Sequence, residues 1–135
     1  MVIIDPFDYE IEVADRRAAL TEVLTQISET KAEINSEAIL LSISEAQLNL
    51  RKRDFDRRRK LVKQGSTSRK SLDDAEIAFN ETSQAVASRQ QTILRLKSRL
   101  DQYQASASRA RSALVGVLPE LSSISTIAAV GDFLL

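Results

Sequence analysis

Cysteine, histidine and tryptophan are absent from this sequence of 135 residues, and aromatic residues make up only 4% of it. Without His or Cys, the chain lacks the residues of the usual metal clusters, of thiol nucleophiles, of a Ser-His-Asp triad and of a disulfide. Only carboxylates, lysines and hydroxyls are left for chemistry, and the three glycines stand too far apart to form a phosphate-binding loop. We therefore expect no enzyme activity, no catalytic residues, no cofactor and no metal site.

Helix breakers are equally scarce. The chain has only Pro6, Pro119, Gly65, Gly116 and Gly131. Between residues 7 and 115 there is thus a single breaker, which predicts two helices joined at Gly65. Glycine suits a left-handed helix C-cap, and Ser68 or Ser71 can cap the start of the next helix.

Apolar residues recur every seven positions in both predicted helices. The first helix carries the column Val13, Leu20, Ile27, Ile34, Leu41, Leu48, Phe55 and Val62. The second helix carries the column Leu72, Phe79, Val86, Ile93, Leu100, Ala107 and Leu114, beside a partner column of Ala75, Thr82, Arg89, Leu96, Tyr103 and Ala110. Repeats sustained this long are typical of coiled coils, and a short connection makes neighbouring helices antiparallel. The predicted fold is all-α: a long antiparallel two-helix coiled-coil hairpin.

Charge is segregated along the chain. Residues 1–50 hold 3 basic and 10 acidic side chains, whereas residues 51–70 hold 10 basic and 2 acidic ones. A basic stretch at 51–63 could bind nucleic acid, because clustered Lys and Arg release counterions from phosphates. The alternative is a solvated helix surface with pairs four residues apart, such as Asp54 with Arg58 and Asp56 with Lys60. We favour the surface interpretation, since leucine-zipper DNA binders place the basic region before the heptads.

Two short segments carry more specific patterns. Residues 2–9 read V-I-I-D-P-F-D-Y, which predicts a short strand that ends at Asp-Pro and leads into the first helix. Residues 57–75, around the turn, read R-R-R-K-L-V-K-Q-G-S-T-S-R-K-S-L-D-D-A. In this second segment Arg57 is followed four residues on by Leu61 and seven further on by Ser68.

In this order around a heptad hairpin, the two segments resemble the HlyD-type membrane fusion proteins, the periplasmic adaptors of tripartite efflux pumps and type I secretion systems. The first is similar to the family's hydrophobic-I-D-P-x-x-Y run, where a strand of the lipoyl-like domain enters the α-hairpin. The second is similar to the tip motif of Arg, Leu and Ser, here Arg57, Leu61 and Ser68. The downstream L-D-x-A of the family corresponds to Leu72, Asp73 and Ala75.

The resemblance covers residues 2–115 and implies a division of the chain. Its expected parts are a partial lipoyl-like strand at 1–8, a first hairpin helix at 9–63, a tip turn at 64–70, a second hairpin helix at 71–115 and an unassigned tail at 116–135. The tail stays unassigned because it lacks the Arg, Ala, Pro and Gly pattern of the family's return strand.

The resemblance also implies a function. The hairpin would be a structural adaptor that links an inner-membrane transporter of the RND, ABC or MFS type to a TolC-type outer-membrane channel. Arg57, Leu61 and Ser68 would contact the channel, several copies would form a homo-oligomer, and nucleic acid would not be a partner. The expected location is the periplasm, with the full-length protein associated with the inner membrane, although no signal or anchor pattern stands in this sequence.

Other interpretations of the same residues remain open at this point. Leu61 could belong to the last turn of the hairpin's own seam, Ser68 could simply cap the second helix, and Arg57 could extend into solvent. The chain could also be a nucleic-acid-binding coiled coil that uses residues 51–63. A third possibility is a self-associating scaffold whose narrow seam is completed by copies of itself.

Overall fold

Two long helices that pack against each other make up the described part of the chain. The computed structural model describes the backbone of residues 6–122 and the side chains of residues 6–117. Helix α1 spans Pro6–Lys63 and helix α2 spans Arg69–Ser122, and no strand occurs within residues 6–122. The predicted all-α hairpin is therefore confirmed for this part of the chain. Neither helix contains, in the part described, a segment long and apolar enough to cross a membrane.

The start of α1 corrects the predicted strand. Residues 6–8 are helical, so the strand predicted over 1–8 is wrong for these three residues. Proline suits the first turn of a helix, because its φ is already near the helical value and its missing N–H would have no acceptor within the helix. Asp8 adds a negative charge in the first turn, where the helix dipole favours it. Residues 1–5, which hold the rest of the predicted strand, lie outside the described residues.

The end of α1 confirms the predicted glycine cap. Gly65 has a φ of 70°, in the left-handed region. Its N–H donates to the carbonyl of Val62 at 3.0 Å, and the N–H of Ser66 donates to the carbonyl of Leu61 at 2.8 Å. This pair of bonds is a Schellman motif, which satisfies carbonyls that the helix end would leave without donors.

Helix α2 starts earlier than predicted. The Ser68 hydroxyl accepts a hydrogen bond from the N–H of Ser71 at 3.1 Å, and the Ser68 carbonyl accepts one from the N–H of Leu72 at 3.4 Å. Ser68 is therefore the N-cap, and α2 begins at Arg69. The turn predicted at 64–70 is two residues too long, because the cap forms at the first of the two serines that the sequence offered.

Helix α2 also ends later than predicted. It continues through Gly116 to Ser122, so the second helix predicted over 71–115 is too short and part of the unassigned tail at 116–135 is helical. A glycine inside a helix costs about 1 kcal/mol relative to alanine. Side-chain packing just beyond the glycine offsets this cost. The remaining tail, residues 123–135, lies outside the described residues.

Contacts between residues divide the chain into two units. The packing beyond Gly116 lies in the unit that consists of Met1–Thr30 and Arg99–Leu135. Val13 and Leu114 are buried against each other in this unit, and Leu20 and Val117 pack around them. Val117 stands seven residues after Ala110 in the sequence and so continues the partner column of α2. The heptad pattern, extended by one position, would have predicted the longer helix.

The other unit is Lys31–Ser98, and its buried residues also come from the heptad columns. Ala75, Val86 and Leu96 are buried on α2, each at one of the two heptad columns. Phe55 of α1 stacks on Phe79 of α2, with ring centroids 5.9 Å apart and ring planes 11° from parallel. Such an offset pair contributes about 0.5–1.5 kcal/mol beyond its buried area.

The predicted heptad columns are the buried positions of the helices. Every residue of the Val13 column, of the Leu72 column and of the Ala75 column is buried or half-buried. On α1, the column three residues after Val13 is covered at Val23, Thr30, Glu37, Ser44 and Arg58, whereas the column four residues after Val13 is exposed throughout. The seam on α1 is therefore narrow, and its second column is largely polar.

Replacing Gly65 with alanine tests the cap. A left-handed conformation costs a residue with a Cβ about 1–2 kcal/mol, and the Cβ itself would meet no atom within 4 Å. We therefore expect Gly65→Ala to lower the free energy of unfolding by about 1–2 kcal/mol, measured by urea denaturation.

Gly116→Ala is the matched control for this change. A Cβ at Gly116 would also meet nothing within 4 Å, but Gly116 lies inside a helix. We expect this variant to raise the free energy of unfolding by about 0.5–1 kcal/mol. Equal effects of the two substitutions would contradict the assignment of Gly65 as a left-handed cap.

Candidate functional site at the turn

The three residues of the predicted tip motif lie close to the turn in the unit Lys31–Ser98. Arg57 and Leu61 occupy the last two turns of α1, and Ser68 caps α2. Arg57 is exposed and Leu61 is half-buried. The structure therefore places all three within one short segment around Gly65, and it shows for Ser68 the capping role that the sequence offered as an alternative.

Arg57 forms an ion pair with Asp54 on the surface of α1. Its Nη2 lies 2.6 Å from Oδ1 of Asp54, and its side chain is 70% exposed. Exposed pairs of this kind contribute about 0–1 kcal/mol, because water and salt screen the charges. The guanidinium thus remains accessible to acceptors outside the chain, with donors beyond the one that Asp54 uses.

Arg58 joins the two helices just before the turn. Its Nη1 donates to the carbonyl of Ser71 at 3.0 Å and is 3.1 Å from the Ser71 hydroxyl oxygen. Its Nε lies 3.2 Å from Oδ2 of Asp54, which confirms the predicted pair of Asp54 and Arg58. The planar guanidinium can make these contacts at once because its five N–H groups point in fixed directions. Arg58 therefore fastens the last turns of α1 to the first turn of α2.

Arg59 is held by a different set of contacts. Its Cζ lies 4.5 Å from the centroid of the Phe55 ring, within the range of a cation–π interaction. Its Nη2 is 3.8 Å from Oδ1 of Asp56, so Asp56 pairs with Arg59 rather than with Lys60 as predicted. Three consecutive arginines thus have three different environments, and only Arg58 reaches α2.

A polar cluster that the sequence reasoning missed lies in the seam of the same unit. Nε of Arg89 donates to the hydroxyl of Ser44 at 3.1 Å, and Nη1 of Arg89 is 3.4 Å from Oε2 of Glu37. Ser44 is buried, and the other two side chains are half-buried. Part of the signal was present in the sequence, because Arg89 is a charged interruption of the Ala75 column. Their mutual contact could not be predicted without the pairing of the helices.

An open groove of about 380 Å³ is lined by Gln47, Leu50, Arg51, Asp54 and Thr82. Its one carboxylate, Asp54, is already paired with Arg57 and Arg58. Within the described residues no group of three or more acidic side chains could hold a metal ion.

Comparisons with known proteins give no family for the chain. No protein-family model matches it, and neither a curated protein nor a solved structure matches it significantly.

Replacing Arg58 with lysine tests the link between the helices at the turn. Lysine keeps the charge but cannot reach Ser71 and Asp54 with one planar group. We expect Arg58→Lys to lower the free energy of unfolding by about 1 kcal/mol, measured by urea denaturation.

Arg57→Lys is the control for Arg58→Lys, since Arg57 pairs with the same carboxylate, whereas the bond to Ser71 belongs to Arg58. We expect it to change the free energy of unfolding by less than about 0.5 kcal/mol. If both substitutions lowered the free energy of unfolding equally, the bond between Arg58 and Ser71 would not contribute to stability, and this outcome would contradict the prediction.

Proposed function

We propose that this hairpin is the adaptor element of an HlyD-type membrane fusion protein, which bridges an inner-membrane transporter and a TolC-type outer-membrane channel. The observation that carries the proposal is the coincidence of the tip motif with the turn: Arg57, Leu61 and Ser68, at the family's spacing, fall on the one connection between two heptad helices. A chance match of three residues could have fallen anywhere along 135 residues.

The proposed contact has a physical basis in the chemistry of helix ends. The ends of the channel's helices would present carbonyls and carboxylates, and an exposed guanidinium binds such acceptors with directional, charge-assisted hydrogen bonds. Leu61 would add an apolar contact beside Arg57. The closed cap at Gly65 keeps the backbone of the turn in one conformation, which lowers the entropy lost on docking.

The other proposed properties follow from this function. The protein would act without catalysis or a cofactor, in the periplasm, in association with the inner membrane and as a homo-oligomer. Its inner-membrane partner would be a transporter of the RND, ABC or MFS type.

Crosslinking at the turn tests the docking proposal, and the absence of cysteine from the sequence makes the experiment clean. Ser66 is exposed, and only its backbone takes part in the Schellman motif. We expect Ser66→Cys, carrying a short crosslinker, to give a specific adduct with the purified TolC-type channel encoded in the same genome. Adding Leu61→Asp should abolish the adduct while helicity, measured by circular dichroism, stays nearly unchanged.

Gln84→Cys supplies the matched control for crosslinking. Gln84 is an exposed polar residue on α2, about four helical turns beyond the start of this helix. It should give no adduct with the channel. Equal labelling from Cys at residues 66 and 84, or none from either in folded protein, would contradict docking through the turn.

Binding of nucleic acid separates the adaptor from the alternative that uses residues 51–63. Asp54 and Asp56 pair with Arg57, Arg58 and Arg59, so two negative charges offset part of the positive charge that phosphates would meet. We expect no binding of duplex DNA or RNA by fluorescence anisotropy at physiological salt. Tight binding that weakens steeply with added salt, and that falls when these arginines become glutamine, would favour the nucleic-acid alternative instead.

A further inference from the structure

The strongest unassigned feature is the opposite charge of the two helices beside the turn. Residues 51–60 of α1, which we call the basic segment, hold seven basic and two acidic side chains. Residues 73–81 of α2, which we call the acidic segment, hold four acidic side chains and no basic one. The formal charges of the two segments are therefore +5 and −4.

The two segments lie level with each other in the unit Lys31–Ser98. The basic segment falls in the last 13 residues of α1, and the acidic segment falls in the first 13 residues of α2. Phe55 stacks on Phe79, and Arg58 donates to the carbonyl of Ser71. These contacts between the helices place the two segments side by side, at the same distance from the turn.

The two segments do not neutralise each other within one hairpin. In the part of the chain whose side chains are described, the basic segment forms its ion pairs with its own Asp54 and Asp56. None of the four carboxylates of the acidic segment forms an ion pair there. In the heptad count, Arg53 lies on the side of α1 opposite the seam, and Asp74 and Glu81 lie on the corresponding side of α2. We call these two sides the outer sides, and their charges face away from each other.

An exposed apolar residue accompanies the charges on each outer side. Leu50 is 62% exposed and stands one helical turn before Arg53. Ile77 is 56% exposed and stands between Asp74 and Glu81 on the outer side of α2. An apolar residue bordered by charges, with opposite signs on the two surfaces, is the arrangement by which coiled coils select a partner and its orientation.

The signs of the charges determine which outer sides can meet when copies of the chain associate. Contact between α1 of two copies would bring two basic segments together, and contact between α2 of two copies would bring two acidic segments together. Contact between α1 of one copy and α2 of the next, with both turns at the same end, sets opposite charges level with each other. Coulomb's law favours this last arrangement over the other two.

We propose that copies of this chain associate in the same direction, with the basic segment of one copy against the acidic segment of the next. Arg53 then lies level with Ile77 of the neighbouring copy, and that copy's Asp74 and Glu81 lie one turn to either side. Leu50 packs diagonally against the same Ile77. Because the two surfaces differ, the contact is heterologous, and association continues beyond two copies until a ring closes.

This inference rests on the proposed function for its setting, a homo-oligomer with its turns at one channel, and it deepens that function by naming the surfaces that meet. It does not use Arg57, Leu61 or Ser68, which the proposed function assigns to the channel. Its test contains no channel. Failure of the copies to associate would leave docking through the turn standing, and absence of an adduct with the channel would leave the association standing.

Disulfide formation between two single-cysteine variants of the full 135-residue chain tests the pairing. Asn49 and Asn80 are exposed, and each stands one residue after a column residue, Leu48 or Phe79. In the proposed contact they lie level with each other on the same face. At about 100 µM protein, association of micromolar strength is nearly complete.

We expect an equimolar mixture of Asn49→Cys and Asn80→Cys to form a disulfide-linked dimer, at twice the 15.0 kDa monomer mass, on a non-reducing gel. The dimer should form roughly 10-fold faster in the mixture than from either variant alone, because contact raises the local thiol concentration to the millimolar range. Equal rates in the mixture and in the single variants, or no dimer in the mixture, would overturn the proposal.

Charge reversal tests whether the two segments meet. Arg53→Glu in the Asn49→Cys chain should slow the mixed disulfide by roughly 3- to 10-fold, and Glu81→Arg in the Asn80→Cys chain should do the same. The two reversals together should restore much of the rate, because the signs are again opposite. Added salt should slow the reaction of the unreversed pair. Slowing by both reversals without any recovery in the combination would overturn the proposal.

Arg95→Glu in the Asn49→Cys chain is the matched control for Arg53→Glu. It makes the same change of charge at an exposed position, but Arg95 lies on α2, about 21 Å along the helix from Glu81. It should change the rate by less than about twofold, since this distance is about two Debye lengths. Circular dichroism should show the same helicity for all variants. A loss of rate equal to that of Arg53→Glu would show that net charge governs the crosslinking, and would overturn the proposal.

Discussion

The contact between one apolar column of α1 and two columns of α2 is the interaction on which the rest of the hairpin depends. A two-helix structure has no interior in the usual sense, because each seam residue is covered by one partner helix only. The best-covered side chains are accordingly small or medium in size: Ala75, Ala107, Leu114, Val86 and Leu96 are 3–6% exposed. Stability must therefore come from the number of contacts along the seam rather than from deeply buried side chains. Helix caps and hydrogen bonds at the turn add to it.

The caps and hydrogen bonds lie at the turn, where the helix ends would otherwise leave backbone groups without partners. Gly65 and Ser68 satisfy the backbone on the two sides, and Arg58 connects one side to the other. In the seam itself, Arg89 meets Ser44 and Glu37, three polar residues that satisfy one another only when the helices are in the observed register. A polar group in a coiled-coil seam is a known means of fixing register. The turn and this cluster together define how the helices of that unit align.

Much of this architecture could be predicted because it follows from local chemistry and from a repeat. One glycine in a long helical pattern located the turn, and the columns from Val13 and from Leu72 identified the buried sides. Predictions failed where packing or alternative caps decided the outcome. The helix start at Pro6 looked like the end of a strand, and Gly116 looked like a stop signal although Val117 packs beyond it. The cluster around Arg89 needed knowledge of which residues face each other across the seam, which no single helix contains.

The seven-residue repeat on both helices also limits how the length of the hairpin can change in evolution. Inserting one residue into α1 would rotate everything beyond it by about 100° and turn the Val13 column away from α2. An insertion that preserves the seam must add seven residues, and it must be matched by seven at the facing place in α2 so that the turn still joins paired ends. Each matched pair of heptads would lengthen the hairpin by about 10 Å. The hairpins of relatives of this chain should thus differ in length by multiples of about fourteen residues, with seven residues added or removed in each helix.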